Sequence, residues 1–451
     1  MAIITKDIIT VKQLLELPLM IPPYQRPYKW QAHNVNQLIE DVMLHRNKSR
    51  YRLGTVVLHQ EKLHEESSVV GEADKLSIVD GQQRLLTLAL LYSLLDKNSM
   101  ITPAIFSHAF QSNITITNLK HNAAVINSRL NQLSESVREE LVDFILHKCE
   151  VISIRLDDLS EAFQFFDSQN ARGKELAPYD LLKAFHLREM ENNTQAERIE
   201  CVANWEKEVS PDKNVAVNLE TIMSDYLFRV RRWCKGLSGA YFSRHTIAEF
   251  KGVNLTSTPY PFTMPFRAID YMVGQYNEDK VRAWDMKNMH YPFQIDQTMI
   301  NGKRFFEYIH YYINVYQTLF LQGTEALHHL ITTIEGYEGK SRVGDHYVKN
   351  LFYCSVLHYY DKFGDVELEN AAKLCFVWSY QIRLKQHRVP IESIDNHAMS
   401  HGSIFSVISN ALHPHEVLTM VVKPMKTSDI KGTKIDGLAS KFKLLGYLSN
   451  D

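Results

Sequence analysis

The chain has 451 residues, 45% of them hydrophobic and 23% charged, with 50 Lys and Arg against 52 Asp and Glu for a formal net charge of −2. That length exceeds one comfortable core and implies two or three domains of an ordinary globular protein. The charge balance neither marks nor excludes a nucleic-acid partner, because local patches matter more than the total. Five scattered cysteines with no C-x-x-C pair argue against a disulfide framework and a structural zinc site, and fit a reducing cytoplasm. No apolar run reaches the length of a membrane span, and the N-terminus lacks the apolar core of a signal peptide, so a cytoplasmic protein without a membrane partner is expected.

In chain order, the first distinctive stretch is IPPYQRPYKW (21–30), where Pro22, Pro23 and Pro27 hold the backbone extended and Tyr24, Tyr28 and Trp30 punctuate it. Gln25 and Arg26 sit in its middle, a setting suited to hold a phosphate or a base. The alternative is a domain-edge strand with core aromatics, and Trp30 is assigned to the core in either case. A helix follows, with Val35, Leu38, Ile39 and Val42 on its apolar side. YRLGTVVLHQ (51–60) predicts a strand with Leu53, Thr55 and Val57 on one face. Residues 64–75 read as an exposed loop and 119–148 as helical. VISIRL (151–156) predicts a strand with Ile152, Ile154 and Leu156 opposite Val151, Ser153 and Arg155.

Between these lies LSIVDGQQRLLTLALLYSLL (76–95), a short buried strand running into a leucine-rich helix through Asp80-Gly81-Gln82-Gln83-Arg84. Gly81 permits a tight turn and a close ligand approach. The helix start offers unpaired N–H groups to a phosphate, and Arg84 lies on the first turn, where a guanidinium grips two oxygens at once. Asp80 suits a cap or a Mg²⁺ ion held between phosphates, and Gln82 and Gln83 can donate to phosphate or orient water. The alternative is a plain capped helix with a solvated arginine. Further on, EAFQFFDSQNARGKELAPYDLLKAFHL (161–187) predicts a short helix capped by Ser160, then a break at Asn170, Arg172 and Gly173 before a helix opened by Pro178. Asn170, Arg172 and Lys183 gather polar and basic groups there, and Asp180 is either a first-turn dipole partner or a site residue.

From about residue 195 the pattern is helical and aromatic, with 305–322, 350–363 and 371–386 read as bundle core rather than a ligand box. Residues 252–266 read as a proline-rich loop. FRVRRWCKG (228–236) is the densest basic cluster of this half: Arg229, Arg231, Arg232 and Lys235 around Trp233 suit DNA contact, the alternative being a solvated helix face over a buried tryptophan. The six lysines between Lys423 and Lys443 read as a solvated tail. His397, His401, His413 and His415 are preferred as surface or packing histidines over metal ligands.

Three segments in order, Pro22 to Trp30, Val79 to Thr87 and Phe166 to Lys183, resemble the N-terminal domain family of GmrSD-type, modification-dependent restriction systems. The family pattern is P-x-Y-Q-R-x-Y-x-W, then (I/V)-D-G-Q-Q-R-L-x-T, then F-x-x-x-N-x-x-G-x-x-L-x-x-x-D-L-L-K, and the likeness covers roughly residues 5–190. It implies a ParB/sulfiredoxin-like α/β domain that binds and hydrolyses nucleoside triphosphates, with Gly81 and Arg84 reproducing the Gly-x-x-Arg that ParB relatives set against the triphosphate. The implied fold is α+β: residues 1–190 as the nucleotide domain, 191–451 as a mostly helical domain for DNA recognition or partner binding. The implied role is an NTP-hydrolysing sensor or specificity subunit in defence against phage. Asp80, Gln82, Gln83 and Arg84 would be catalytic, and Tyr24, Gln25, Arg26, Gly81, Arg84, Asn170, Arg172, Gly173 and Lys183 would bind the nucleotide.

Mg²⁺ on Asp80 is the expected cofactor, and modified phage DNA and a separate nuclease or effector are the expected partners. Homo-oligomerisation is left open. No stretch fits the HNH nuclease motif E-H-I-x-P of many relatives, so cutting is assigned elsewhere. A nucleotide-gated binding module without hydrolysis is the alternative, and an autonomous metal-dependent endonuclease the second alternative.

Overall fold

A computed structural model describes residues 3–22, 25, 27–60, 75–95, 103–106, 110, 112–157, 177–190, 193–209, 218–279, 281 and 288–449. The chain divides into two compact units, Met1–Leu176 and Ala177–Asp451.

The first unit is a five-stranded mixed sheet with helices. In chain order it contains β1 (Ile3–Thr10), α1 (Val11–Leu15), β2 (Leu19–Met20), α2 (Ala32–His45), β3 (Tyr51–Gln60), β4 (Leu76–Asp80), α3 (Gln82–Leu95), α4 (Asn113–Leu130), α5 (Glu135–Asp143) and β5 (Cys149–Leu156). The strands lie in the order β1-β5-β3-β4-β2, with β3 antiparallel to β4 and parallel to β5. Alternation sets the two faces: Val56, Leu58, Ile78 and Val151 join the main core, whereas Val57, Val79, Ile154 and Leu156 form a smaller cluster. Val35, Leu38, Ile39 and Val42 of α2 are all buried, as their spacing predicts. The predicted helical stretch 119–148 is instead two helices, α4 and α5, because the chain turns at residues 131–134.

β3 departs from simple alternation. Its pairing with β5 shifts register between Arg52 and Thr55, with two positions on β3 opposed by one on β5. Gly54 sits inside this bulge at φ +116°. The extra residue sends Leu53 to the main core and Val57 to the smaller cluster, so these two do not share one face as alternation alone suggests.

The second unit is mostly helical. It contains α6 (Pro178–Arg188), α7 (Gln195–Val209), α8 (Phe228–Trp233, entered through a π-helical stretch Ile222–Leu227), α9 (Met264–Glu278), α10 (Lys303–Tyr316), α11 (Val343–Phe363), α12 (Leu368–Lys385), α13 (Ile391–Ala398) and α14 (Asp436–Leu444). Pro178 occupies the first turn of α6, where its missing N–H is no loss. The aromatic stripes are core: Phe305, Tyr308, Tyr312, Phe352, Phe376 and Tyr380 are all fully buried. The loop expected at 252–266 gives way at Met264 to α9, whose Pro265 lies at a helix start where proline is tolerated. Nor are residues 423–443 a solvated tail. α14 buries Leu438 and Phe442, the latter 5.5 Å from Phe376, and Met425–Lys426 pairs with Leu448–Ser449. Among the described residues, no helix is long and apolar enough to cross a membrane.

Candidate nucleotide site at a strand–helix join

β4 is buried from Leu76 to Val79 and ends at Asp80. Gly81 then takes φ +92°, a conformation that strains any other residue, and a Cβ there would press to 3.1 Å from Val56 Cγ2. The Asp80 carboxylate accepts the Gly81 N–H at 2.7 Å, and the Leu85 N–H donates to Gly81 O at 2.9 Å, so α3 starts at the glycine. α3 has no polar side: Leu85, Leu86, Leu88, Ala89 and Leu91 are all buried, which pins the helix start against the sheet.

Arg84 lies on that first turn with its guanidinium against the β3 bulge. The bulge needs glycine for its backbone angle, and a Cβ on Gly54, lying 2.7 Å from Arg84 Nη1, would push the guanidinium out of its place. Nη1 reaches Thr55 O only at 3.5 Å. Burial pulls the Arg84 pKa below its ordinary value, and the neighbouring Asp80 carboxylate only partly opposes this. The group stays cationic, since no arginine deprotonates in practice. A cation held away from water with so few partners among the described residues is stabilised by an arriving anion.

The extended segment is laced onto the same join. Gln25 Nε2 donates to Ile78 O at 3.0 Å and Val79 O at 2.7 Å. Gln83 Oε1 accepts the Lys29 N–H at 2.8 Å and the Trp30 N–H at 3.2 Å, and its Nε2 donates to Pro27 O at 3.2 Å. Tyr28 is fully buried, its hydroxyl 2.7 Å from Thr87 Oγ1 and accepting from Asn122 Nδ2 at 2.9 Å, while Asn118 Nδ2 donates to Tyr28 O at 2.7 Å. The amides of Gln25 and Gln83 are therefore tethers that position the segment rather than groups pointing at a ligand. Gln82 differs. It is 5% exposed, and its Oε1 has no hydrogen-bond partner among the described residues.

Of the expected site residues, the fold brings Gln25, Asp80, Gly81, Gln82, Gln83 and Arg84 to one place. Tyr24, Arg26, Asn170, Arg172 and Gly173 lie outside the described residues. Lys183 is buried on α6, in the second unit. The sequence reading passed over Gly54, although an isolated glycine inside a strand pattern is a recognised sign of a bulge or close approach. It also passed over Asn118 and Asn122, which became visible only when α4 packed.

The basic helix face expected at 228–236 needs correction. Arg229 is buried and bonded to Asp225 at 2.9 Å. Arg231 is 2% exposed and donates to Ile295 O, Gln297 O and Glu249 O at 2.8, 2.9 and 3.1 Å, with Glu249 Oε1 3.2 Å from its Nε. Trp233 donates to Asp395 at 2.7 Å from a fully buried position. Arg229 and Arg231 thus hold the unit together from inside and do not form an open face for DNA. Lys235 pairs with Glu249 at 2.6 Å while remaining exposed, and Arg232 is half-buried. Among the histidines, His397 stacks on Trp378 with its Nε2 3.1 Å from Trp378 O, a packing role.

Comparison with known families follows the same division. Residues 6–187 match the GmrSD restriction endonuclease, N-terminal domain, and residues 197–437 match a family of unknown function (DUF7834), which alone accounts for more than half of the chain. The chain belongs to this second family. Its N-terminal region is a GmrSD restriction endonuclease N-terminal domain, and that domain points to a restriction-system role. No curated protein matches the chain. The GmrSD match encloses all three segments singled out in the sequence, and the strand–helix join lies near its middle.

Proposed function

We propose that this chain is an NTP-binding and NTP-hydrolysing sensor or specificity subunit of a modification-dependent restriction system, acting with a separate nuclease or effector. The observation that carries the reading is the desolvated Arg84 guanidinium, held by the Gly54 bulge beside a helix start and answered by one carboxylate, Asp80. Phosphate oxygens are the natural complement of that arrangement. Arg84 would grip the phosphates and carry the charge that develops on them, so its contribution is electrostatic and positional.

The donor set fits Mg²⁺, an ion commonly held by one or two carboxylates with phosphates and water completing its shell. Asp80 would hold it, and when bound the ion would neutralise phosphate charge. The tethers from Gln25 and Gln83 would fix the extended segment against the join, and the unpartnered Gln82 Oε1 would accept a hydroxyl or amino donor of the nucleotide.

The commitment of Gln83 to backbone partners favours a second reading, a nucleotide-gated binding module. With that amide engaged, Gln83 does not serve to orient water. Phosphate release by wild type, Arg84→Ala and Asp80→Ala, with each of the four NTPs and Mg²⁺, separates the two. Release by wild type alone supports the hydrolase. A nucleotide-dependent rise in melting temperature without release supports the gate. Full release by both variants removes the site. Metal-dependent cutting of modified DNA by the purified chain alone would replace both readings with an autonomous endonuclease.

A further inference from the structure

α9 (Met264–Glu278) buries one residue fully, Val273, with Phe266, Ile269 and Tyr276 half-buried beside it. Its opposite face is apolar too. Met264, Tyr271 and Met272 are each more than half exposed, and Ala268 is exposed among them. Residues 264, 268, 271 and 275 follow the alternating four- and three-residue spacing of a helix-packing seam. α9 therefore carries two apolar sides where a surface helix needs one. Tyr260 and Phe262, also more than half exposed and with ring centroids 6.0 Å apart, extend this surface just before the helix.

Charge and shape together say what covers the face. Arg267 is half-buried and donates to Thr258 O, and Asp270 accepts from Arg304 Nε at 2.7 Å, which leaves Glu278 as the exposed charge on α9. A nucleic-acid strand or an anionic membrane calls for exposed lysine or arginine around the aromatic groups, and α9 presents neither. Tyrosine, phenylalanine and methionine without charge are the makeup of a protein interface core.

Ala268, Tyr271 and Gly274 form one row at three-residue spacing, so the large Tyr271 stands between two small residues. A Cβ on Gly274 would meet nothing within 4 Å in this chain. The fold of one copy thus gives no packing reason for a glycine that weakens the helix. A knob set beside its own hollows is complementary to itself when two copies meet antiparallel. At about 200 Å² for a fully exposed side chain of this size, Tyr260, Phe262, Met264, Tyr271 and Met272 present roughly 600 Å². That is most of the ~800 Å² each partner gives to a stable interface.

We propose that α9 is a homodimer interface. Two copies pack their outward faces antiparallel about a twofold axis, with Tyr271 of each over Ala268 of the other. The pairing does not depend on the function proposed for the strand–helix join.

The test is sedimentation equilibrium of the full chain across the micromolar range. Wild type is expected to be a dimer, and Tyr271→Glu to weaken association at least about 30-fold, the loss of a central aromatic anchor. Because Tyr271 is exposed, thermal unfolding of the dilute variant should match that of dilute wild type, which separates lost pairing from a lost fold. Mild oxidation of mixed Ala268→Cys and Tyr271→Cys chains is expected to link position 268 of one copy to position 271 of the other. A monomer at every concentration overturns the proposal, as does a dimer that Tyr271→Glu leaves intact. Links only between like positions overturn it as well, since they require a parallel pair.

Discussion

Arg84 and Arg231 are both desolvated arginines beside a carboxylate, and they do opposite things. Arg231 donates from Nη1 and Nη2 to three carbonyls and sets its Nε 3.2 Å from Glu249, and although burial works to lower its pKa, Tyr308 and Glu249 outweigh that and raise it. Arg84 has one distant carbonyl and Asp80, and its pKa is lowered. The first is tied into its surroundings by several close partners, and the second has few partners among the described residues and lies against the Gly54 bulge. Burial alone does not separate a packing arginine from a ligand-binding one. Between these two, the count and closeness of internal partners does.

The sharpest way to break this comparison is to remove each arginine. Arg231→Met leaves buried carbonyls and Glu249 without their main partner and is expected to destabilise the second unit by about 3–5 kcal/mol. Arg84→Ala is expected to change stability by no more than about 1 kcal/mol while abolishing nucleotide-dependent stabilisation. Urea unfolding with and without NTP measures both, and equal losses of stability would erase the distinction.

Acid should separate the units as well. Burial pushes His186 down to about 3 and His358 and His397 down to about 4, whereas it pushes Asp361 up to about 7. The histidines are neutral in the fold and take up protons on unfolding, so their contribution is full above about pH 6.5 and is lost as pH falls toward 4 and 3. Asp361 acts in the opposite sense: its contribution is full below about pH 3.8 and is lost as pH rises through 7. Three groups outnumber one, so the second unit should lose stability between pH 6.5 and 4, by up to about 1.4 kcal/mol per pH unit for each unbalanced proton. Asp361→Asn should steepen that fall, as thermal unfolding across the window will report.

Gly54→Ala probes the bulge itself. The strained backbone and the clash with Arg84 should together lower stability by about 1–3 kcal/mol. Nucleotide binding should fall even where the fold survives, and unchanged binding would detach the bulge from the site. The smallest effect is expected from Tyr28→Phe, which removes the hydroxyl shared with Thr87 and Asn122 and should lower stability by about 1 kcal/mol. Because the tethers of Gln25 and Gln83 remain, the nucleotide effect should be slight. Faster proteolysis near residues 21–31 in Gln83→Ala than in Tyr28→Phe would identify the amide as the stronger anchor.

Much of the join was legible before any coordinates. The apolar run 76–79, the Asp-Gly break and the leucine-rich helix state a buried strand, a tight turn and a buried helix, because each rests on local periodicity and backbone freedom. The apolar faces of α2 and β5 were legible for the same reason. Arg84 and Asp80 were placed by simple chain proximity. The structure departs from local expectation where a residue's role depends on partners distant in sequence: Gln83 reaches back 56 residues to Pro27, and Arg231 reaches forward 64 to Ile295. A basic cluster around a tryptophan looks the same in sequence whether its charges face water or carbonyls, and the lysine-rich segment 423–443 looks solvated until Phe442 meets Phe376.

By itself, then, the sequence determined the local elements and the chemical character of the join, since hydrophobic period, glycine and helix start act over a few residues. Only the tertiary structure decided which charged groups remain in need of a partner. That depends on which carbonyls and carboxylates packing delivers to each guanidinium, and loop closure across tens of residues leaves no local trace in the chain.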